Sequence, residues 1–438
     1  MLLPPSLPLN HTDKTRRSEE QKANDGARSD APGAGARQDR LAGLRADGIA
    51  FPRRPGLLAA ASPRTRSIAL DESFEIFLVA APGLEAALLG EATERGFSGA
   101  RSVPGGVALD GGWHDVWRAN LQLRCATRVL ARVASFRAMH LAQLDKRARR
   151  VNWSDYLRPG LPVAVEAACH RSKIYHAGAA AERVATAIAS ELGTPISDAA
   201  EIRVMLRIDD DLATISIDTS GEPLHKRGHK EAVNRAPMRE TMAAALLRSC
   251  GFDGRQAVVD PMCGSGTFVI EAAEIAMGLQ PGRSRAFAFR HLAGFDQEAW
   301  AAMLAPPPAT LTELRMLGSD RDAGAVAMAR ENAERAGVSA ATRFEIADVA
   351  TLADPPGPPG IVIVNPPYGN RVGDKRSLAG LYRTLGERLR TGFAGWRVGL
   401  VTTDAGLAQA TGLPWLPPGP PILHGGLRIR LWQTGPLS

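Results

Sequence analysis

The sequence predicts an α/β chain in two parts: a doubly wound, mostly parallel sheet that ends in an antiparallel hairpin, preceded by a mixed α+β region. Three observations predict it. From residue 235 onward, short apolar runs of strand length alternate with segments of helical period. Several of these runs end in an acid or a proline pair, where open α/β sheets hold their ligands. Before residue 221, hairpins and helices are mixed without that regular alternation.

The elements follow in order. Residues 1–70 are rich in Arg, Ala, Asp, Ser, Gly and Pro and lack a sustained apolar period, so a disordered extension is expected. Residues 71–112 form an N-terminal element. It has a strand over 74–79, a helix over 84–96 opened by Pro82-Gly83, and short strands within 101–109 that turn at Gly105-Gly106. Residues 113–220 begin with a helical pattern that reaches about Leu130, then a strand over 131–136 and a basic segment. A strand over 162–168 and a helix over 177–192 follow, and a hairpin over 202–209 and 212–218 turns at Asp209-Asp210-Asp211. Residues 221–234 are a polar linker.

The second part, 235–438, opens on a helix with Pro237 near its start. A strand over 257–260, a helix over 267–277 and a proline-interrupted insert come next. Strand 314–318, helix 323–336, strands 343–346 and 361–364, helix 378–390 and strand 398–402 complete the alternation. The closing hairpin runs from Pro421 through Gly425-Gly426 to Trp432.

A chain of 438 residues holds two or three domains, and 45% hydrophobic with 23% charged residues is ordinary for a globular protein. It contains no run of about eighteen apolar residues, so no membrane span is expected. Prolines 4, 5 and 8 and the lack of a basic start argue against a secretory signal. Cys125, Cys169, Cys250 and Cys263 lie far apart with no C-x-x-C pair, which argues against a metal site or a disulfide framework and for a reducing cytoplasm. The net charge of +7 is local: between Leu121 and His176 eleven Lys/Arg face three acids, so that stretch carries +8 and the rest of the chain −1. A concentrated basic surface attracts a polyanion such as a nucleic acid, and Lys146, Arg147, Arg149, Arg150, Arg171 and Lys173 are the candidate contacts. The alternative is a solvated face.

Four motifs fall at strand ends. Asp260 closes an apolar strand, and Pro261-Met262-Cys263-Gly264-Ser265-Gly266-Thr267 turns into a helix. Its glycines permit close backbone approach to a ligand, and the carboxylate can accept from an ammonium group. Cys263 has no His partner nearby and reads as packing. Asp320, in Gly318-Ser319-Asp320-Arg321-Asp322, can hold ribose hydroxyls, with a helix cap as the alternative role for an acid here. Asp348 follows the next strand and can meet an adenine amino group, with a plain surface acid as the alternative.

The fourth motif, Asn365-Pro366-Pro367-Tyr368-Gly369, is the most specific. Two prolines fix a rigid loop outside the ladder, so the Asn365 amide oxygen and the Pro366 carbonyl can both accept from one –NH2 group. An exocyclic base amine is a poor nucleophile because its lone pair is delocalised into the ring. Accepting both N–H bonds draws the nitrogen toward tetrahedral geometry and stabilises the developing positive charge. Tyr368 can stack on a base held out of its helix.

With these residues, the chain from about Phe74 onward resembles the THUMP-domain class I RNA methyltransferases of the bacterial large-subunit rRNA guanine-N2 type. Leu224-His225-Lys226-Arg227-Gly228 and Ile270-Glu271-Ala272-Ala273 add to the likeness. The resemblance implies a Rossmann-like methyltransferase domain over 235–438, a ferredoxin-like element over 71–112 and a THUMP RNA-binding domain over 113–220. It implies that Asp260, Gly264, Gly266, Thr267, Asp320, Arg321 and Asp348 bind S-adenosylmethionine and that Asn365, Pro366, Pro367 and Tyr368 receive the base. His229 stands where relatives often have Tyr, and His424 where many have Asn. Other readings are a tRNA guanine-N2 enzyme, an N6-adenine nucleic-acid methyltransferase and a silent RNA-binding assembly factor. A nicotinamide oxidoreductase leaves Asn365 to Tyr368 unexplained.

Overall fold

The computed structural model describes residues 73–231, 238–304, 315–353, 357–368 and 375–438. The expected extension over 1–70, the Ala236-Pro237 helix start, Gly369 and the end of the insert lie outside the described residues.

Seven strands of the first region form one sheet. In chain order the elements are β1 (Phe74–Val79), α1 (Glu85–Glu94), β2 (Arg101–Val103), β3 (Gly106–Gly111), α2 (Trp113–Gln122), β4 (Arg128–Arg137), α3 (Leu141–Ala148), β5 (Val163–His170), α4 (Ala177–Leu192), β6 (Ile202–Asp209) and β7 (Leu212–Asp218). The strand order is β2-β3-β1-β4-β7-β6-β5. β1 pairs antiparallel with both β3 and β4, so the sheet runs unbroken from residue 74 to residue 218.

One stretch folds differently from the sequence reading, and a second gains an element that the reading left unassigned. The helical pattern expected to reach Leu130 stops at Gln122, and Leu123 turns extended (φ −81°, ψ 126°). The buried Glu91 carboxylate takes the next two amides, Arg124 N–H at 2.8 Å and Cys125 N–H at 2.9 Å, which withdraws them from a helix ladder. In the basic segment, to which the sequence reading assigned no element, α3 forms and buries Leu144 and Ala148 under a charged face.

The second sheet contains α5 (Glu240–Ser249), β8 (Val258–Asp260), α6 (Thr267–Ala276), α7 (Gln297–Met303), β9 (Met316–Asp320), α8 (Ala323–Ala336), β10 (Thr342–Ile346), β11 (Ile361–Val364), α9 (Lys375–Gly392), β12 (Arg397–Thr402), α10 (Ala405–Ala410), β13 (Ile422–His424) and β14 (Leu427–Gln433). Its order is β10-β9-β8-β11-β12-β14-β13. β8 to β12 pair in parallel, while β14 and β13 close the edge antiparallel, as the sequence predicts. The chain winds outward through β9 and β10 and then crosses back to β11, so the switch point lies between β8 and β11.

β11 explains its own composition. Ile361 and Ile363 point into the core shared with α5, α6 and the first sheet. Val362 and Val364 point into a second core under α9, with Tyr382, Leu385, Leu389 and Trp396. A strand covered on both faces reads as an unbroken apolar run.

The two sheets are joined by buried charge. Arg124, just after α2, donates to Glu271 at 2.7 Å and to Glu274 at 3.2 Å, both on α6. Arg227, from the linker motif, donates to Glu271 (3.2 Å), to the Arg124 carbonyl (2.8 Å) and to the Leu224 carbonyl (2.9 Å). Arg283 completes the set on Glu274 at 2.6 Å. Burial opposes ionisation of Glu274, but Arg124 and Arg283 outweigh it and hold its carboxyl below the ordinary carboxylate value.

Candidate active site

A cleft of about 850 Å³ opens at the carboxyl ends of β8 to β11. The segment after β8, the end of β9, the residues after β10 and the loop after β11 all reach it. Met262, Asp320, Arg321, Asp348 and the run Asn365 to Tyr368 all line it. Residues of four motifs that lie far apart in sequence therefore line one cleft.

The glycine turn stands behind this lining. Gly264 and Gly266 both have left-handed backbones, φ +52° and +84°. A methyl group added at Gly264 meets no described atom within 4 Å, whereas one at Gly266 would come within 3.0 Å of Ala329 and 3.1 Å of the Phe344 ring. The second glycine thus lets α8 and β10 pack closely, and the first provides the turn. Asp320 ties the turn to the next strand: Gly264 N–H donates to Oδ2 and Asp322 N–H to Oδ1, each at 3.0 Å. Asp322 is the cap of α8, accepting from Gly324 N–H at 2.8 Å. Asp348 caps the short turn after β10 through Ala350 N–H at 2.9 Å and keeps an exposed face on the cleft.

Asp260 is buried at the end of β8 and accepts only from Met262 N–H, at 3.1 Å, among the described residues. Burial, aided by the nearby Asp320, pushes its carboxyl up to about 8. Cys263 is buried as well, and desolvation with both acids pushes its thiol far above the ordinary range, so it is no nucleophile. Thr267 does not reach the cleft lining: it is buried, and its hydroxyl accepts from Lys230 Nζ at 2.9 Å.

The loop after β11 has the expected form. Pro366 is buried, while Asn365, Pro367 and Tyr368 are half-buried. Asn365 Oδ1 is a buried acceptor with no hydrogen-bond partner. Such an atom costs free energy until a donor arrives, and a bound –NH2 group supplies one. One residue of the site went unread in the sequence, and a second was noted only as a departure from relatives. Tyr382 of α9, fully buried, brings its hydroxyl to 3.3 Å from the Pro367 carbonyl and 3.4 Å from Thr402 Oγ1, and so braces the loop from below. The signal was a tyrosine on the apolar face of a helix, where its hydroxyl needs a partner. His424, which the sequence marks only as standing where many relatives have Asn, lines the same cleft from the β13–β14 turn.

The six candidate RNA contacts are all exposed. Lys146 and Arg147 lie on α3 with Arg149 and Arg150 just beyond it, and Arg147 lies over the Phe136 ring at 5.7 Å. Arg149 pairs with Asp145 at 3.0 Å. Arg171 and Lys173 are on the loop after β5, where Arg171 pairs with Asp209 at 3.2 Å and Lys173 Nζ lies 3.7 Å from Met139 Sδ. The local charge count overstates this surface. Arg124 is buried against Glu271 and Glu274, Arg128 pairs with Asp218, and Arg132 with Glu75. Among the described residues no group of three or more His, Cys, Asp or Glu could hold a metal ion, and no helix is long and apolar enough to cross a membrane.

Comparison with known proteins agrees with this architecture. Residues 227–413 match an RMKL-like methyltransferase domain, and residues 75–130 match an RlmL ferredoxin-like domain. The chain is 36% identical over 364 residues to ribosomal RNA large subunit methyltransferase K/L of Syntrophotalea carbinolica, covering 78% of this chain and 51% of that protein. The protein of that name from Methylococcus capsulatus is 35% identical, with 77% and 48% covered. The chain spans about half the length of these curated relatives. Among solved structures, SMU.472, a candidate methyltransferase in complex with SAH, superposes with a TM-score of 0.75 at 28% identity, over 84% of this chain and 99% of that one. A predicted N6-adenine-specific DNA methylase from Listeria monocytogenes superposes with a TM-score of 0.74 at 30% identity, over 83% of this chain and 97% of that one. With its fold, its strand-end cleft and both domain matches in agreement, the chain belongs to the family of RMKL-like methyltransferases.

Proposed function

We propose that the chain transfers the methyl group of S-adenosylmethionine to the exocyclic N2 amine of a guanine in large-subunit ribosomal RNA. The observation that carries this reading is the unpartnered, buried Oδ1 of Asn365 in the wall that also holds Asp320 and Asp348. The names of the curated relatives support rRNA, and SMU.472 with its SAH supports the cofactor.

Bound in the cleft, S-adenosylmethionine supplies an electrophilic sulfonium methyl. Asp260 and the Gly264 turn hold its amino-acid end, Asp320 the ribose, and Arg321 and Asp348 the rim around the adenine. Gly266 and Thr267 act behind this set by fixing the turn to α8 and α6. Asn365 Oδ1 and the Pro366 carbonyl accept the two N–H bonds of the target amine, which frees the lone pair and aligns it for in-line attack. The same oxygens stabilise the positive charge on nitrogen until a proton leaves to solvent. Pro367 keeps the loop rigid, and Tyr368 stacks on the base. Lys146, Arg147, Arg149, Arg150, Arg171 and Lys173 hold RNA phosphates on a region of THUMP type over 113–220, in a cytoplasmic setting.

Asn365→Ala tests the mechanism. SAH affinity stays within about twofold while methyl transfer falls by about 100-fold or more, the scale of one lost stabilising group. Normal turnover by that variant sinks the proposed role. A second reading, N6-methylation of adenine, draws on the printed name of the Listeria relative. Nucleoside mass spectrometry of rRNA, tRNA and DNA from cells lacking the protein separates the two by the modified nucleoside that disappears.

A further inference from the structure

Eight buried side-chain nitrogen or oxygen atoms lack a hydrogen-bond partner among the described residues. Two of them, Asn365 Oδ1 and His424 Nδ1, belong to residues that line the same cleft. His424 is the last residue of β13. It pairs with Leu427 across the Gly425-Gly426 turn, whose left-handed backbones (φ +56° and +81°) make the two-residue hairpin tight. The imidazole therefore stands on a rigid β-turn rather than on a loop.

On the proposed reading that the substrate is a guanine amine, we infer that His424 reads the ring edge of the target base. Its Nδ1, with the ring proton on Nε2, accepts a hydrogen bond from guanine N1–H, the donor next to the amine held at Asn365. The chemistry discriminates between bases. Guanine places N1–H beside its exocyclic amine, whereas adenine and 2-aminopurine place a ring nitrogen lone pair there. Two lone pairs facing each other in a buried site leave both groups unpaired, and sites built around a hydrogen bond reject analogues that lack it. Burial first, and then Arg239, hold the His424 imidazole below its ordinary value. The ring is thus neutral near pH 7 and keeps its acceptor. An amide oxygen at this position offers an acceptor too, which makes His424→Asn the conservative variant.

The test compares kcat/KM for methyl transfer to two versions of the rRNA fragment that spans the modified nucleotide, one with guanine and one with 2-aminopurine there. Wild type prefers guanine by about tenfold or more, the effect of one buried hydrogen bond. His424→Asn keeps most of that preference. His424→Leu loses it, chiefly through the guanine substrate, while SAH binding stays within about twofold. If His424→Leu fails to bind SAH, wild type and His424→Asn still decide: equal methylation of both fragments by wild type overturns the inference. A guanine preference that survives in His424→Leu overturns it as well, and leaves the proposed reaction standing. Failure of wild type to methylate guanine at all counts instead against the proposed reaction.

Discussion

The second sheet buries acids in two places and treats them in opposite ways. Glu271 and Glu274, on α6, are 1% and 0% exposed and are met by Arg124, Arg227 and Arg283. Asp260 is 2% exposed and lies near the half-buried Asp320, and neither has an ion pair among the described residues. Among the described residues three arginines serve the first pair and none pairs with the second. A buried charge matched inside the chain joins parts of the fold, and an unmatched one is a place for a cation from outside.

Four measurements bear on that contrast, in order of falling effect. Arg124→Met removes the one of the three arginines that donates to both Glu271 and Glu274 and leaves two buried carboxylates short of charge. Stability in chemical denaturation falls by about 3–5 kcal/mol, the range for breaking a buried pair from one side. A loss below about 1 kcal/mol would mean that Arg227 and Arg283 alone suffice. Asp260→Asn does the reverse. Stability changes little or rises, because an unfavourable buried acid is gone, while SAH affinity by calorimetry drops about tenfold or more through loss of a charged acceptor.

The third measurement follows the proton on Asp260. Its folded value of about 8 lies above the ordinary 3.8, so between those values the folded chain holds a proton that the unfolded chain has lost. Stability from this group is present at low pH and declines as pH rises from about 4 to about 8. Binding an ammonium group needs the ionised form. SAH binding at pH 7 therefore releases up to about one proton, read as a difference in calorimetric heat between two buffers, and Asp260→Asn abolishes that difference. The smallest effect concerns charge that is neither buried nor spent. Changing Arg147, Arg149 and Arg150 together to Ala weakens binding to an rRNA fragment several-fold and lowers its salt slope by up to about three, one per lost phosphate contact. An unchanged slope would identify those residues as a solvated face.

Much of this was legible in advance because local rules and tertiary context agreed. β6, β7 and β11 fall on the residues expected, since each alternates or saturates in apolar residues between clear turns. The Asn365 loop was readable because two prolines after a buried strand have few other uses. Where context overrode pattern, the sequence misled. The run from Leu123 to Leu130 suits either period, and only the distant Glu91 carboxylate ends α2 where it does. The charge of +8 was counted along the chain, whereas Asp218, Glu75, Glu271 and Glu274 cancel part of it across the fold. His424 stood out only as a departure from relatives and not as a site residue, because its cleft is assembled from strand ends far apart in sequence.

Helix α6 carries both kinds of site: the glycine turn enters its first residue, and Glu271 and Glu274 sit one and two turns further along. A helix is stiff over that length, about 1.5 Å per residue with each turn bonded to the next. The grip of Arg124 and Arg227 on α6 therefore leaves no slack between the first sheet and the cleft.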